Sequence, residues 1–338
     1  MLFMAYTASL KAQKIHIGAY EFPDGAIYQG ELSKGKPHGK GVTKFKSGDV
    51  HEGYYQKGMR HGHGVYIFAD GEKYDGEWFQ NQQHGLGTYY FVNNNRYEGL
   101  WFKDYQHGHG TMYYYNGDVY KGNWKHDMRD GHGAYTYSNG ASYIGEWKKD
   151  MRDGNGVFDW ADGNRYEGGW KENKKSGHGT FVYASGESYT GEWLADQQHG
   201  KGRYSFADGN IYEGNYVRGQ RTGEGIFTFG NGDKYVGSFK NGDQDGYGTF
   251  TWSSGATYVG QWKANMRHGH GKYTSASGDT YDGDWENGVM EGEGILRQAD
   301  GTKYKGHFRG GLKDGYGIQE DKEGTRYEGE FVAGVPKK

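Results

Sequence analysis

Along this chain, ring-bearing and small side chains alternate with polar ones on a period of two, first in Gly62-x-Gly64-x-Tyr66-x-Phe68 and again in Tyr74-x-Gly76-x-Trp78. Alternate residues of a β-strand point to one face, whereas a helix would place its apolar positions three and four apart. Each such pair of segments therefore predicts two short strands of about five to seven residues. The pair returns every 23 residues. Its leading position holds Tyr28, His51, Tyr74, Tyr97, Tyr120, Tyr143, Tyr166, Tyr189, Tyr212, Tyr235, Tyr258, Tyr281, Tyr304 and Tyr327, with no insertion or deletion between them. One interval further back, Gly18, Tyr20, Phe22 and Gly25 keep their columns, but Ala5, Thr7 and Ser9 do not. The expected organisation is a single array over 1–338. It has a lead-in at 1–15, a half repeat at 16–27, thirteen full repeats over 28–326 and a truncated repeat at 327–338.

Two turns separate the strands. One carries Gly25, Gly48, Gly71, Gly117 and their equivalents through Gly324, with Asn94 as the single exception. Asn is the best non-glycine occupant of a left-handed conformation, so the exception itself predicts positive φ there. The other turn carries Gly35, Gly58, Asn81, Asp104, Asp127, Asp150 and their equivalents, always Gly, Asn or Asp. Short strands joined by tight turns on both sides must pair antiparallel with their sequence neighbours. The fold class is therefore all-β, an elongated single-layer antiparallel meander of 23-residue hairpin repeats. At about 4.8 Å per strand, the expected length is on the order of 130 Å.

Composition explains how one layer could hold together. Hydrophobic residues make up only 33%, yet there are 64 glycines, 32 tyrosines, 16 phenylalanines and 10 tryptophans, and mean hydropathy is -1.05. A thick aliphatic core is excluded. Glycines such as Gly30 and Gly64 should open gaps on the sheet into which neighbouring rings can lie. All ten tryptophans fall in ring columns, eight on the first strand and Trp160 and Trp252 on the second. Stability is expected to be nearly one-dimensional, each repeat supported by its neighbours.

These residues carry a resemblance. Tyr143-Ile144-Gly145-Glu146-Trp147 followed by Gly154-x-Gly156 resembles the MORN repeat, over about residues 28–334 and the half repeat before them. Tyr89-Tyr90-Phe91-Val92-Asn93-Asn94 before Tyr97-Glu98-Gly99 is similar to the MORN proteins of ciliary radial spoke heads. All-MORN scaffolds of protist cytoskeletons come next. The resemblance implies a non-enzymatic scaffold or spacer of an axoneme or cortical cytoskeleton that assembles protein partners, in the cytoplasm or a cilium.

Candidate chemistry narrows the reading further. No cofactor and no metal site is expected: equivalent histidines such as His38, His61, His84 and His107 stand two strands apart, roughly 10 Å, too far to share one ion. The Gly-x-Gly copies lack the following helix that a phosphate loop needs. The absence of cysteine fits a reducing compartment. A net charge of -3 gives no global pull toward nucleic acid. Residues 1–60 carry nine Lys/Arg against five Asp/Glu, while 278–338 carry nine against thirteen. Lys40, Lys44 and Lys46 share a parity opposite Gly41 and Phe45, with Lys34 and Lys36 in the adjoining turn, and form a candidate contact for anionic lipid. This supports an alternative reading as a peripheral membrane adaptor. The C-terminal strand Tyr327, Gly329, Phe331 is expected to end in an unpaired edge open to a second copy or a partner strand.

Overall fold

The computed structural model describes residues 14–337, in two compact units that meet between Ala161 and Asp162 in sequence. Thirteen strands follow one another in the first, from Ile15–Glu21 to Met151–Asp159, and sixteen in the second, from Arg165–Lys171 to Val335–Pro336. Within each unit every strand pairs antiparallel with its sequence neighbours. There is no helix among the described residues. Both units are thus antiparallel meanders. The expected lead-in over 1–13 and the last residue of the expected truncated repeat, 338, lie outside the described residues.

A full repeat is a seven-residue strand such as Lys73–Phe79 followed by a nine-residue strand such as Gln82–Tyr90. The longer strand exceeds the expected five to seven residues because a bulge lies inside it. Gly76 faces Gly87 and Trp78 faces Gln83, so Glu77 alone stands opposite three residues. Gly85, in the middle of those three, has φ +60. The two glycines of Gly-x-Gly therefore serve different purposes. Gly85 supplies the left-handed residue the bulge needs, while Gly87 clears a space for a ring.

Both turns take the expected backbone. Asn94 has φ 65 where glycines such as Gly71 (φ 95) stand in other repeats. In the second turn the residue before the Gly/Asn/Asp column is also left-handed, as at Gln80 (φ 52) and Asn81 (φ 72). Two successive positive φ values make the hairpin turn whose twist matches that of the strands.

All rings of the motif lie on one face. Tyr74, Gly76 and Trp78 alternate with exposed or half-exposed residues, and twelve tyrosines of the leading column are at most 1% exposed. Glycine pairs such as Gly64 and Gly76, then Gly76 and Gly87, form a ladder across the strands beneath them.

Candidate functional site

The ring face is built from one contact set repeated along the chain. Tyr74 lies flat over Gly76 and Gly87, where a Cβ on Gly87 would come within 2.4 Å of the tyrosine oxygen. Its ring belongs to the same strand as Gly76, so the gap is filled from within the hairpin as well as from the next strand. Trp78 and Trp101 stand edge-on to it with centroids at 5.2 and 5.3 Å, pairs that contribute about 0.5–1.5 kcal/mol each beyond burial. The Tyr74 hydroxyl donates to the Glu77 carbonyl at 2.9 Å, and Trp78 Nε1 donates to the Gly64 carbonyl at 3.1 Å. Burial raises the pKa of these tyrosines, with Tyr28, Tyr212, Tyr258 and Tyr304 pushed up to about 12. They act as packing and hydrogen-bonding groups at neutral pH.

His51 departs from the column. Its Nδ1 is 2.7 Å from the Tyr55 hydroxyl, which also lies 2.6 Å from Thr43 Oγ1, but its Nε2 has no partner. Burial, with Arg60 nearby, lowers its pKa to about 3.

A second set of contacts recurs on the ring face within each unit and was missed from the sequence. Arg60 lies 4.2 Å from the Trp78 ring, Arg129 4.3 Å from Trp147, Lys175 4.3 Å from Trp193 and Arg267 4.1 Å from Trp285. Burial lowers the pKa of Arg60, Lys175 and Arg267. The sequence signal is one position per repeat that is mostly Arg, Lys or Gln, with Pro37 and Met290 as the exceptions. At Gln83 and Gln106 the cation is absent. There the face opens into a cleft of about 630 Å3, lined by Phe68, Tyr89, Trp101 and Trp124 with Asp104 and Asp127 on its turn side.

Side chains also join turns of successive repeats. Asp104 and Asp127 accept the backbone N–H of Gln83 and Gln106 at 2.8 and 2.7 Å, and Asn265 accepts that of Gln244 at 2.8 Å. On the opposite edge Asp49 accepts from the Ala69 N–H and from the Tyr66 hydroxyl, at 2.8 and 2.7 Å. The Tyr66 bond is the main reason the Asp49 carboxyl sits below the usual range.

The predicted lysines do not form one cluster. Lys36 begins the strand Lys36–Lys44 rather than lying in the turn, and Lys34 occupies the turn with φ 52. Lys46 lies beyond the other end of that strand, its side chain reaching the space above Gly25. Nine strand residues span roughly 30 Å, so the five charges are spread across the sheet. Lys40 and Lys44 stay on the exposed back of the strand, and Lys40 lies 5.4 Å from the Tyr54 ring.

The C-terminal edge also differs from expectation. The strand runs Arg326–Val332 and is followed by Val335–Pro336, which pairs with Phe331 and Val332. Tyr327 donates to the Lys337 carbonyl at 3.0 Å, and Phe331 is 1% exposed. Part of this edge is covered by the chain turning back on itself. The rings of the second strand, Phe250 and Trp252 in one repeat, give way further on to Ser275, Gln298, Gln319 and Asp321, but Tyr304 and Phe308 of the first strand stay buried.

Among the described residues, no group of three or more His, Cys, Asp or Glu is placed to hold a metal ion, and no helix is long and apolar enough to cross a membrane.

The MORN repeat family model matches thirteen consecutive windows of the chain, from 28–50 to 304–326. No reviewed relative matches the sequence significantly. Similar solved structures include the TCP10 domain of Danio rerio CPAP, at 16% identity and TM-score 0.34, covering 59% of this chain and 94% of that one. A second is the SAS-4 (dCPAP) TCP domain of Drosophila melanogaster in complex with a proline-rich motif of Ana2, at 13% identity and TM-score 0.28, covering 49% and 94%.

Proposed function

The chain belongs to the MORN-repeat family, and from that premise we propose that it is a non-catalytic scaffold or spacer that holds protein partners along its repeats. The observation that carries this reading is the constancy of the backbone and ring set beneath outward positions that change from repeat to repeat. A fixed frame with variable side chains suits the presentation of several binding surfaces. We place it in a cytoplasmic assembly of the cytoskeleton, and more narrowly in a ciliary axoneme resembling the radial spoke or in a cortical cytoskeleton. Locating a tagged copy in its own cell tests this. Association with axoneme or cortex supports the reading, and a freely diffusing pool contradicts it.

The part of the C-terminal edge that Val335–Pro336 leaves uncovered, near Tyr327 and Gly329, supports self-association into a homodimer. Light scattering at tens of micromolar checks this, and a monomer unchanged by deletion of 300–338 rejects it. The alternative role is a peripheral membrane adaptor. It is favoured by the exposure of Lys34, Lys36, Lys40, Lys44 and Lys46. Flotation with anionic liposomes that is lost when all five become Glu supports it, while failure to float rejects it.

A further inference from the structure

The geometry points to the cleft over Trp101 and Trp124 as a receptor for two arginine side chains of a partner protein segment. The inference rests on the scaffold reading and names the chemistry of one partner.

The molecule itself shows what fits such a place. Arg129 lies over Trp147 at 4.3 Å, while its Nε donates to Asp150 Oδ1 at 2.9 Å and its terminal nitrogen to the Asp150 carbonyl at 3.0 Å. Ring, carboxylate and turn carbonyl together make a seat for a guanidinium. The same seat recurs one and two repeats earlier, with Trp124 and Asp127, then Trp101 and Asp104, but the residues that should fill it are Gln83 and Gln106.

Elsewhere in the array the loss of the cation is matched by loss of the acid. Gln198 and Gln244 stand with Gly219 and Asn265, and Met290 stands with Gly311. Where the acid is kept, a cation is kept too, as in Arg129 with Asp150 and Lys175 with Asp196. Only Gln83 with Asp104 and Gln106 with Asp127 keep the acid alone. Each of these carboxylates takes one backbone N–H on Oδ1 and forms no ion pair among the described residues. Both glutamines are shorter than arginine and are buried at the floor, 7% and 5% exposed. The unfilled space above them is the cleft of about 630 Å3.

Two seats one repeat apart are separated by two strands, roughly 10 Å. Arginines seven residues apart on a helix lie about 10.5 Å apart on one face, so a basic helix meets both. Arginine suits the seat better than lysine, because its flat guanidinium stacks on a ring while donating to a carboxylate.

Calorimetric titration of the full chain with an alanine-rich helical peptide carrying two arginines seven residues apart tests the inference. Saturable one-to-one binding is expected, weakened about tenfold or more when both arginines become glutamine. Asp104→Asn with Asp127→Asn should weaken it about as much. Gln83→Arg with Gln106→Arg should block it from within, in a fold that already accepts arginine at Arg60 and Arg129. Asp196→Asn, whose acid has Lys175 beside it, should leave binding unchanged. No binding, binding untouched by both double variants, or equal weakening by Asp196→Asn would overturn the arginine seats. Those results leave the scaffold reading itself to the localisation of the tagged chain.

Discussion

The Tyr120 hydroxyl donates to the backbone carbonyl of Asn123, three residues ahead on the same strand, at 3.0 Å. Asn123 is the residue the bulge skips: Gly122 faces Gly133 and Trp124 faces Arg129, while Asn123 has no partner on that side. A backbone carbonyl left out of its ladder costs free energy unless something donates to it. The tyrosine is long enough to cross the glycine pair and reach it. The same bond joins Tyr97 to Leu100, Tyr189 to Glu192 and Tyr281 to Asp284, at 2.9–3.0 Å.

Tyr120→Phe keeps the ring and removes the donor. It should destabilise by about 0.5–1.5 kcal/mol, the net contribution of one hydrogen bond. Chemical denaturation of the full chain checks this, and an unchanged midpoint counts against the hydroxyl's part in holding the bulge.

Alkali should act on the same column. Burial raises the pKa of Tyr28, Tyr212, Tyr258 and Tyr304 to about 12, against about 10 in an unfolded chain. Between these values the unfolded state has lost the proton that the folded state still holds. Stability is therefore complete below pH 10 and falls as pH rises toward 12. Circular dichroism along an alkaline titration should show the strand signal intact below about pH 10 and falling between about pH 10 and 12. A strand signal lost already below about pH 10, or unchanged beyond about pH 12, would contradict it.

His51 gives the opposite limb. With a folded pKa near 3 and an unfolded value near 6.5, its contribution is intact above pH 6.5 and is lost as pH falls toward 3. Amides of Val50–Gln56 should lose exchange protection in mild acid before those of Val119–Lys125, where the column holds Tyr120. His51→Tyr should remove that difference. Equal acid sensitivity in the two strands would refute the assignment.

The turn acceptors predict a gain. Gly219 donates its N–H to the Gln198 carbonyl at 2.9 Å but has no side chain to accept from the Gln198 N–H, whereas Asn265 accepts that bond from Gln244. Gly219→Asn keeps a residue tolerant of positive φ and adds the acceptor, so a stabilisation of about 1 kcal/mol is expected in thermal melting. A lower melting temperature would contradict this.

Much of the fold was legible because its causes are periodic. Alternation fixed the strand type, and the Asn94 exception fixed the backbone sign of its turn. The bulge was hidden because Gly85 and Gly87 read as one Gly-x-Gly, although one is left-handed and the other lies under a ring. The set of Arg60, Arg129 and Arg267 was missed for a different reason. A cation in a strand reads as an exposed residue, yet here long stems cover indole faces. The lysine group failed as a cluster because the nine-residue strand moves Lys36 and Lys46 to opposite ends.

Hydrogen exchange on Gly122→Ala beside Gly140→Ala tests the central claim that rings seated on glycine pairs hold each repeat to its neighbours. A Cβ on Gly122 would lie 2.4 Å from the Gly133 Cα and 2.6 Å from the Tyr120 oxygen, whereas one on Gly140 meets nothing within 4 Å and must only adopt φ +90. Gly122→Ala should strip protection from the strands between Arg96 and Thr136 and spare those from Ile27 to Ile67. Gly140→Ala should cost only about 1–2 kcal/mol at its turn. Equal, mild effects of the two substitutions, or a loss spread evenly over both regions, would contradict the account.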